Sequence, residues 1–272
     1  MKNLTFVILV LLTSITLGNV LVSIPTLKLI AQEVVADLFE VKVIVQNANP
    51  HLYQLKISDV EDMAEADLIL LSGVEDWCDR VEKLFPSKTL VFNESFLEEP
   101  FETDKHLWLD PLYAVAFSYM VYSNLEELVS DEHKEILKAN LSDFVAKTLE
   151  LTRRIYDALD PVRGKTVVEL HPALTHFAMR FGLGQVMALQ TGHEEGLIPS
   201  KLTHLSRLAR QGDVQCIFLD KVIQSEAAES IAEQMNLKII WIDVTGTEAD
   251  SYSSYIENLA KALLEGLKNT RH

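Results

Sequence analysis

The sequence predicts an α/β protein of two lobes, in which each lobe is a mostly parallel sheet covered by helices and one long helix joins the lobes. In both halves of the chain, short apolar runs of strand length alternate with amphipathic stretches of helical period, as in parallel sheets with helical crossovers. Between the halves, a helical pattern continues unbroken for about 29 residues. The 272 residues, 48% of them hydrophobic, suffice for one large core or two medium ones.

The first half contains a series of predicted strands, each a short branched-apolar run bounded by polar residues. These strands are Val20–Ile24, Val41–Val45, Leu68–Leu71 and Thr89–Phe92. The intervening helices are Leu27–Leu38, a short helix that starts with a capping-box pattern at Ser58–Glu61 and ends near Ala66, then Val74–Phe85 and Pro111–Leu128. Proline is favoured in the first turn of a helix because no backbone N–H is needed there. The helix Pro111–Leu128 is therefore predicted to begin at Pro111.

A long helix is predicted from Ser130 to Leu159, because apolar residues recur there at spacings of three and four. At 1.5 Å per residue it would be roughly 43 Å long. Pro161 and Gly164 end the pattern. A helix of this length can brace two lobes rigidly, but the pattern also fits a long helix folded within one domain.

The alternation of strands and helices resumes after Gly164. The predicted strands are Thr166–Leu170, Gln185–Leu189, Val214–Leu219 and Leu237–Ile242. The predicted helices are Ala173–Phe181, Ser200–Gln211, Ser225–Asn236 and Asp250–Leu267. Because this order repeats the style of the first half, we expect a second parallel sheet covered by helices.

The N-terminus has the parts of a secretory signal. The basic start Met1–Asn3 precedes an uncharged, mostly apolar run from Leu4 to Leu17, and small residues suit cleavage after Gly18. Because no charge occurs from residue 4 through Pro25, an uncleaved membrane anchor is the alternative. In either case we expect the protein to be exported, in the periplasm or on the outer face of the cytoplasmic membrane.

The expected organisation follows from these elements. It consists of a signal peptide at residues 1–18, an N-terminal lobe at 19–129, a linker helix at 130–160 and a C-terminal lobe at 161–272. We expect the protein to act as a monomer.

Charge and cysteine content exclude several classes of protein. The formal net charge of −16 repels nucleic acid and anionic membrane surfaces and weakly attracts cations, although it also fits a surface that merely favours solubility. Cys78 and Cys216 are too few for a disulfide framework or a thiolate metal cage. Since they fall in different predicted lobes, we expect two separate buried thiols, with a single bridge as the alternative.

Candidate functional residues follow the predicted strands, because ligands of open parallel sheets bind beyond the carboxyl ends of the strands. Three histidines and two carboxylates lie at such positions: His51, His106, His171, Asp220 and Asp243. Neutral imidazole suits zinc, and three imidazoles with one carboxylate complete a tetrahedron. The separations between the histidines match no local zinc motif, and a single histidine after a strand is more often a structural hydrogen-bonding residue.

Several segments resemble the metal-binding solute receptors of zinc and manganese ABC importers. They are Asn49–Asp59, Lys105–Pro111, which contains His-x-Trp-Leu-Asp-Pro, and His171–Leu183. The resemblance runs over nearly the whole chain after the signal. It implies two lobes joined by a rigid helix, a metal buried in the cleft between them, and delivery of that metal to a membrane permease without catalysis.

The resemblance also implies the metal ligands. By motif these are His51, His106 and His171, and the last ligand is an acidic residue after a late strand, which Asp243 matches better than Asp220. Receptors that prefer manganese tend to have a carboxylate at the third position, where this chain has a histidine. Nitrogen donors suit zinc and oxygen donors suit manganese, so we expect Zn²⁺ as the transported ligand, with Mn²⁺ as the alternative.

The chain departs from the family pattern in two respects. His176 stands where relatives usually have an aromatic residue, and we expect it to pack within its helix rather than to bind metal. The histidine-rich loop of many zinc receptors is missing from the sequence, and His193 with Glu194 and Glu195 is a thin substitute for it. Asp110 has two interpretations, either a residue that orients a ligand imidazole or the N-cap of the helix that starts at Pro111.

Three other functions fit part of this pattern. A secreted zinc hydrolase would use the same histidines but leave an open coordination position for water. A receptor for a larger ligand, such as a metal chelate, would need aromatic or arginine residues at the strand ends, which are not seen there. An adhesin or structural surface protein would bind no stoichiometric metal.

Overall fold

The computed structural model describes residues 16–96, 104–191, 196–223 and 225–268. Residues 1–15 of the predicted signal and the loop segment with His193, Glu194 and Glu195 lie outside the described residues, whereas Leu17 and Gly18 already belong to the fold. Leu17 donates its N–H to the Leu38 carbonyl at 2.7 Å, and Gly18 begins the first strand. Cleavage after Gly18 would therefore trim that strand by one residue. Within the described part of the chain, no helix is both long and apolar enough to cross a membrane.

The first sheet has four parallel strands in the order β2-β1-β3-β4. The strands are β1 Gly18–Val22, β2 Phe39–Val43, β3 Leu68–Leu71 and β4 Thr89–Val91. Helices α1 Pro25–Val35, α2 Ile57–Glu65 and α3 Cys78–Leu84 connect them, and α4 Pro111–Leu125 follows. Every residue of β3 is buried, because helices cover both faces of this inner strand.

The second sheet repeats this arrangement with parallel strands in the order β6-β5-β7-β8. The strands are β5 Val167–Glu169, β6 Val186–Ala188, β7 Cys216–Asp220 and β8 Lys238–Ile242. The helices are α6 Thr175–Arg180, α7 Pro199–Gln211, α8 Glu226–Gln234 and α9 Tyr252–Leu267. Both sheets match the predicted α/β fold class, and observed ends differ from predicted ends by a few residues at most places.

The long helix α5, Asp131–Ala158, lies between the two sheets and packs against both lobes. Its apolar stripe contacts α1 and α4 of the first lobe and α9 of the second. One buried cluster contains Val20 and Leu27 of the first lobe, Phe144 of α5, and Ile240 and Leu263 of the second lobe. Because this core is continuous, α5 packs against both lobes and is not confined to one of them.

The loop after β8 also ties the lobes together through hydrogen bonds. The Thr26 hydroxyl donates to the Thr245 carbonyl at 2.6 Å, and the Trp108 indole N–H donates to the Val244 carbonyl at 2.9 Å. Gly246 has a φ of 76°, and a Cβ there would lie 2.9 Å from the Thr26 hydroxyl. Only glycine fits this position without a shift of its neighbours.

Two local predictions can be compared directly with the structure. The predicted capping box at Ser58 is wrong, because α2 begins at Ile57 and Asp59 accepts the Lys56 N–H at 2.8 Å. Both cysteines are free and buried, as expected. Burial raises the pKa of the Cys78 thiol, with a further contribution from the Glu75 carboxylate beside it, and burial raises the pKa of Cys216 to about 12. Both thiols are therefore protonated at neutral pH.

Candidate metal centre

The three predicted histidines meet at one point between the lobes. His51, His106 and His171 each offer a ring nitrogen, and these atoms lie within 4.8 Å of one another. The ring centroids are 5.5 Å apart for His51 and His106, 5.1 Å for His51 and His171, and 5.0 Å for His106 and His171. The Nε2 atoms of His106 and His171 are 3.4 Å apart. These histidines are separated by 55 and 65 residues along the chain, so only the tertiary fold brings their imidazoles together.

Each histidine reaches this point from the carboxyl end of a strand. His51 lies in the loop after β2, His106 follows β4 through a longer connection, and His171 comes two residues after the end of β5. His106 and His171 are buried, whereas His51 is half-buried. The cluster of three histidines therefore has two members deep in the protein and one member near the surface.

Asp104 orients the ring of His106. Its carboxylate accepts the His106 backbone N–H at 2.9 Å and lies 3.0 Å from His106 Nδ1. Burial alone would raise the pKa of Asp104, but its hydrogen bonds and charge interaction with His106 hold that pKa below its usual value. A carboxylate at Nδ1 places the proton there and leaves Nε2 with a lone pair that faces the other imidazoles.

Asp104 also links the lobes. Its second carboxylate oxygen accepts the Thr175 N–H at 2.8 Å, and its backbone carbonyl lies 2.8 Å from His176 Nε2. The His176 ring packs edge-on against Tyr113. His176 is therefore held in the protein interior beside the site, in accord with its predicted packing role, and is not among the converging nitrogens.

Asp110 has the second of its two predicted roles. It is the N-cap of α4, where it accepts the Leu112 N–H at 2.9 Å, and it forms an ion pair with Arg180 Nε at 2.7 Å. The orienting contact to an imidazole belongs to Asp104, which sequence reasoning missed. The only signal was its position two residues before His106.

Glu169 is a second residue that sequence reasoning missed. This carboxyl at the end of β5 is 2% exposed, and it accepts the N–H groups of Ala173 at 3.1 Å and Leu174 at 3.0 Å. Burial, together with the nearby charge of Asp104, raises the pKa of Glu169 well above its usual value. The two hydrogen bonds fold back the loop that carries His171.

The two candidate carboxylates have different surroundings. Asp220 is 8% exposed and lines a small cavity together with His171. Burial raises the pKa of Asp220 to about 6, although hydrogen bonds from the backbone N–H groups of Val222 and Val244 partly oppose this shift. Asp243 instead accepts the N–H groups of Gly246 at 2.8 Å and Glu248 at 2.9 Å and so shapes the loop after β8.

Neither carboxylate belongs to the cluster of converging ligand atoms within the described residues. Both carboxylates accept backbone N–H groups, Asp220 from Val222 at 3.2 Å and Asp243 from Gly246 and Glu248, but Asp220 also shares a cavity with His171. The sequence-based preference for Asp243 over Asp220 stays a prediction.

The arrangement has the chemistry of a site for a borderline-soft divalent ion. Three imidazole nitrogens already converge, so a cation that binds there meets ligands that need little movement. A buried carboxylate nearby offsets part of its charge.

Comparisons with known proteins agree with this fold and identify a family. The family model described as ZnuA, zinc-uptake complex component A, periplasmic, matches residues 20–266. A putative metal-binding protein of Thermotoga maritima is 28% identical over 272 residues, which cover 97% of this chain and 97% of that protein. The high-affinity zinc uptake system protein ZnuA of Bacillus subtilis is 21% identical over 266 residues, covering 88% of this chain and 83% of that protein.

A solved structure shows the same architecture. A crystal structure of ZnuA superposes on this chain with a TM-score of 0.81 and 21% identity, and the match covers 92% of this chain and 99% of that one. At this level of identity the likeness shows the shared two-lobed fold.

Proposed function

The chain belongs to the ZnuA family of periplasmic zinc-uptake components, and from that membership we propose that it is an extracytoplasmic solute-binding protein that captures Zn²⁺ and delivers it to an ABC permease. The observation that carries the proposal is the convergence of His51, His106 and His171 within 4.8 Å. The ion is cargo, which the protein must hold tightly and then release.

Zinc is favoured over manganese by the donor atoms. Imidazole nitrogen suits Zn²⁺, whereas Mn²⁺ is better served by carboxylate and carbonyl oxygens. A manganese receptor of the same family remains the alternative, because one carboxylate lies close to the histidines.

The site supports capture better than catalysis. A catalytic zinc keeps an open position for water and usually has a general base beside it. A carboxylate that completes the coordination would close that position, and a zinc hydrolase would then lose its nucleophile. We therefore propose that the protein is not an enzyme.

We propose that metal enters and leaves past His51. Wide separation of the lobes is opposed by the continuous core around α5 and by the hydrogen bonds from Thr26 and Trp108 to the loop after β8. His51 is the half-buried ligand and lies on a loop between β2 and α2. A local movement of that loop would open the site without breaking the core.

Titration calorimetry of the metal-stripped protein tests the proposed function. At pH 7.5 we expect one equivalent of Zn²⁺ to bind, with an affinity at least about 100-fold higher than that for Mn²⁺, because the donor set is rich in nitrogen. Equal or tighter manganese binding would make the protein a manganese receptor. The absence of heat with any first-row divalent ion would favour an adhesin or structural protein.

The same titration separates the two carboxylates as the fourth ligand. We propose Asp243, and we expect Asp243→Asn to lower zinc affinity by roughly 10- to 100-fold. If Asp220, which lies in a cavity with His171, is the ligand instead, Asp220→Asn will cause that loss and Asp243→Asn will not.

Metal-free stability provides an independent readout for these variants. The pKa of Asp220 in the folded protein is raised to about 6, above its ordinary value in the unfolded chain. The contribution of this carboxyl to the free energy of unfolding is therefore fully present below the ordinary pKa and is lost as the pH rises through 6. At pH 7.5 Asp220→Asn is therefore expected to stabilise the metal-free protein, because the variant buries no charge at this position. Asp243→Asn is expected to destabilise it, because one of the two loop amides loses its acceptor.

A further inference from the structure

Two of the three histidine loops have a side-chain acceptor at the same position relative to the histidine. Asn49 Oδ1 accepts the His51 N–H at 3.1 Å, and Asp104 Oδ1 accepts the His106 N–H at 2.9 Å. In each loop the acceptor stands two residues before the histidine, so the side chain closes a small ring around the residue between them. This ring fixes the backbone direction at which the histidine leaves the loop.

The third loop has its acceptor at the same position but uses a longer side chain. Glu169 stands two residues before His171, and its Oε2 accepts the N–H groups of Ala173 and Leu174 beyond the histidine. The carboxyl therefore bridges the backbone before and after His171. The three segments read Asn-Pro-His, Asp-Lys-His and Glu-Leu-His in the sequence.

We propose that Asn49, Asp104 and Glu169 are positioning residues for zinc capture, each holding the loop that presents the histidine two residues later. This inference rests on the proposed function, since it assigns these side chains to the same metal site. They do not touch the ion. They fix the imidazoles in advance, so that binding does not have to order three separate loops.

Burial predicts how strongly each positioning residue acts. Asp104 is fully buried and also contacts His106 Nδ1, Glu169 is 2% exposed, and Asn49 is half-buried. Water can replace a lost hydrogen bond at a half-buried position but not at a buried one. The effect on metal binding should therefore be largest for Asp104, smaller for Glu169 and least for Asn49.

Glu75 is a matched control for Glu169. It is a buried carboxyl, 4% exposed, in the loop after β3, and it accepts the Gly73 N–H at 3.1 Å and the Ser72 hydroxyl at 2.8 Å. Its loop carries none of the proposed ligands. Replacing Glu75 removes a buried carboxyl that binds backbone N–H, but it leaves the three histidine loops with their acceptors.

The experiment measures Zn²⁺ affinity by competition with a chromophoric chelator, and thermal stability without metal, for variants of these residues. Asp104→Ala and Glu169→Leu are expected to weaken zinc binding by roughly 10- to 100-fold, whereas Asn49→Ala should cost less than about fivefold. Glu169→Gln keeps an acceptor oxygen and should stay within about threefold of wild type. Glu75→Leu should lower the melting temperature without changing the zinc affinity of the folded protein.

Co²⁺ in the same proteins adds a spectroscopic readout of ligand geometry. Its visible absorption should change in Asp104→Ala and Glu169→Leu and remain unchanged in Glu75→Leu. A purely structural role for Asp104 or Glu169 would lower stability but leave both the spectrum and the affinity of the folded protein as in wild type.

Several results would overturn the inference. One is zinc affinity equal to that of wild type in folded Asp104→Ala and Glu169→Leu proteins. Another is a loss of zinc affinity in Glu75→Leu as large as that in Glu169→Leu. If Glu169→Leu does not fold, amide hydrogen exchange of the wild type decides for that residue. Slow exchange at Ala173 and Leu174 supports the inference, and exchange as fast as in exposed loops refutes it. Wild-type protein that binds no zinc would refute the proposed function together with this inference.

Discussion

Replacing His106 by alanine is expected to lower zinc affinity by about 100- to 1,000-fold. The free energy of zinc binding to a structural site with four ligands is roughly 10–16 kcal/mol, so each ligand accounts for about 3 kcal/mol of it. The Nδ1 atom of His106 also forms a hydrogen bond with the fully buried carboxylate of Asp104. The variant therefore loses one nitrogen donor to the metal, and the buried Asp104 carboxylate loses its ring N–H partner while it keeps two backbone N–H donors. Chelator competition and elemental analysis of the purified variant measure the loss.

His133→Ala is the matched control for this variant. His133 lies near the start of α5, is half-buried, and contacts the Ser130 hydroxyl at 2.9 Å, away from the three histidines of the site. The same change of residue type at that position should leave zinc binding unaffected. Equal zinc content in His106→Ala and wild-type protein, or equal losses in both variants, would contradict the assignment of His106 as a ligand.

Zinc affinity is also expected to fall by at least about 100-fold between pH 7.5 and pH 5. Zn²⁺ binds neutral imidazole, and each ligand histidine must give up any proton that it carries before the metal can bind. Free imidazole titrates near pH 6.5, so at pH 5 protons compete with the metal at three positions. The sign is unambiguous, because lower pH favours the protonated, metal-free protein.

Calorimetry in buffers of different ionisation enthalpy measures this effect directly, since binding should release protons at the lower pH values. Circular dichroism at pH 5 serves as the control that the protein remains folded there. Unchanged zinc affinity across this range would exclude a site built from three histidines, and oxygen ligands would then have to hold the ion.

Most of the fold could be predicted because its elements have strong local patterns. The strand Leu68–Leu71 is a continuous apolar run in the sequence and a fully buried strand in the structure. The helix at Pro111 begins where the proline indicates. The role of the long helix could not be decided in the same way, because its apolar stripe does not reveal its partners. Only the position of α9 shows that α5 packs against the second lobe as well as the first.

The convergence of the three histidines could be predicted from the sequence, whereas the surroundings of the two carboxylates could not. His51, His106 and His171 follow strands, and parallel strands bring their carboxyl ends to one edge of a sheet. Asp220 and Asp243 also end or follow strands, so the sequence places both at that edge. It does not show that Asp243 binds the amides of its own loop while Asp220 faces a cavity beside His171.

Asp104 and Glu169 were missed for a related reason. Asp104 lies in a segment without helical or strand period, and Glu169 reads as the polar end of a buried strand. A carboxylate two residues before a histidine is a weak pattern until the loops that contain it are known to converge.

A crystal structure of the zinc-loaded protein, with anomalous data collected at the zinc absorption edge, tests the central claim most directly. The account predicts one strong peak between the lobes, with nitrogen atoms of His51, His106 and His171 each about 2.0–2.1 Å from it. A peak held by other side chains would contradict the account. So would zinc-soaked crystals in which the three imidazoles touch no common atom.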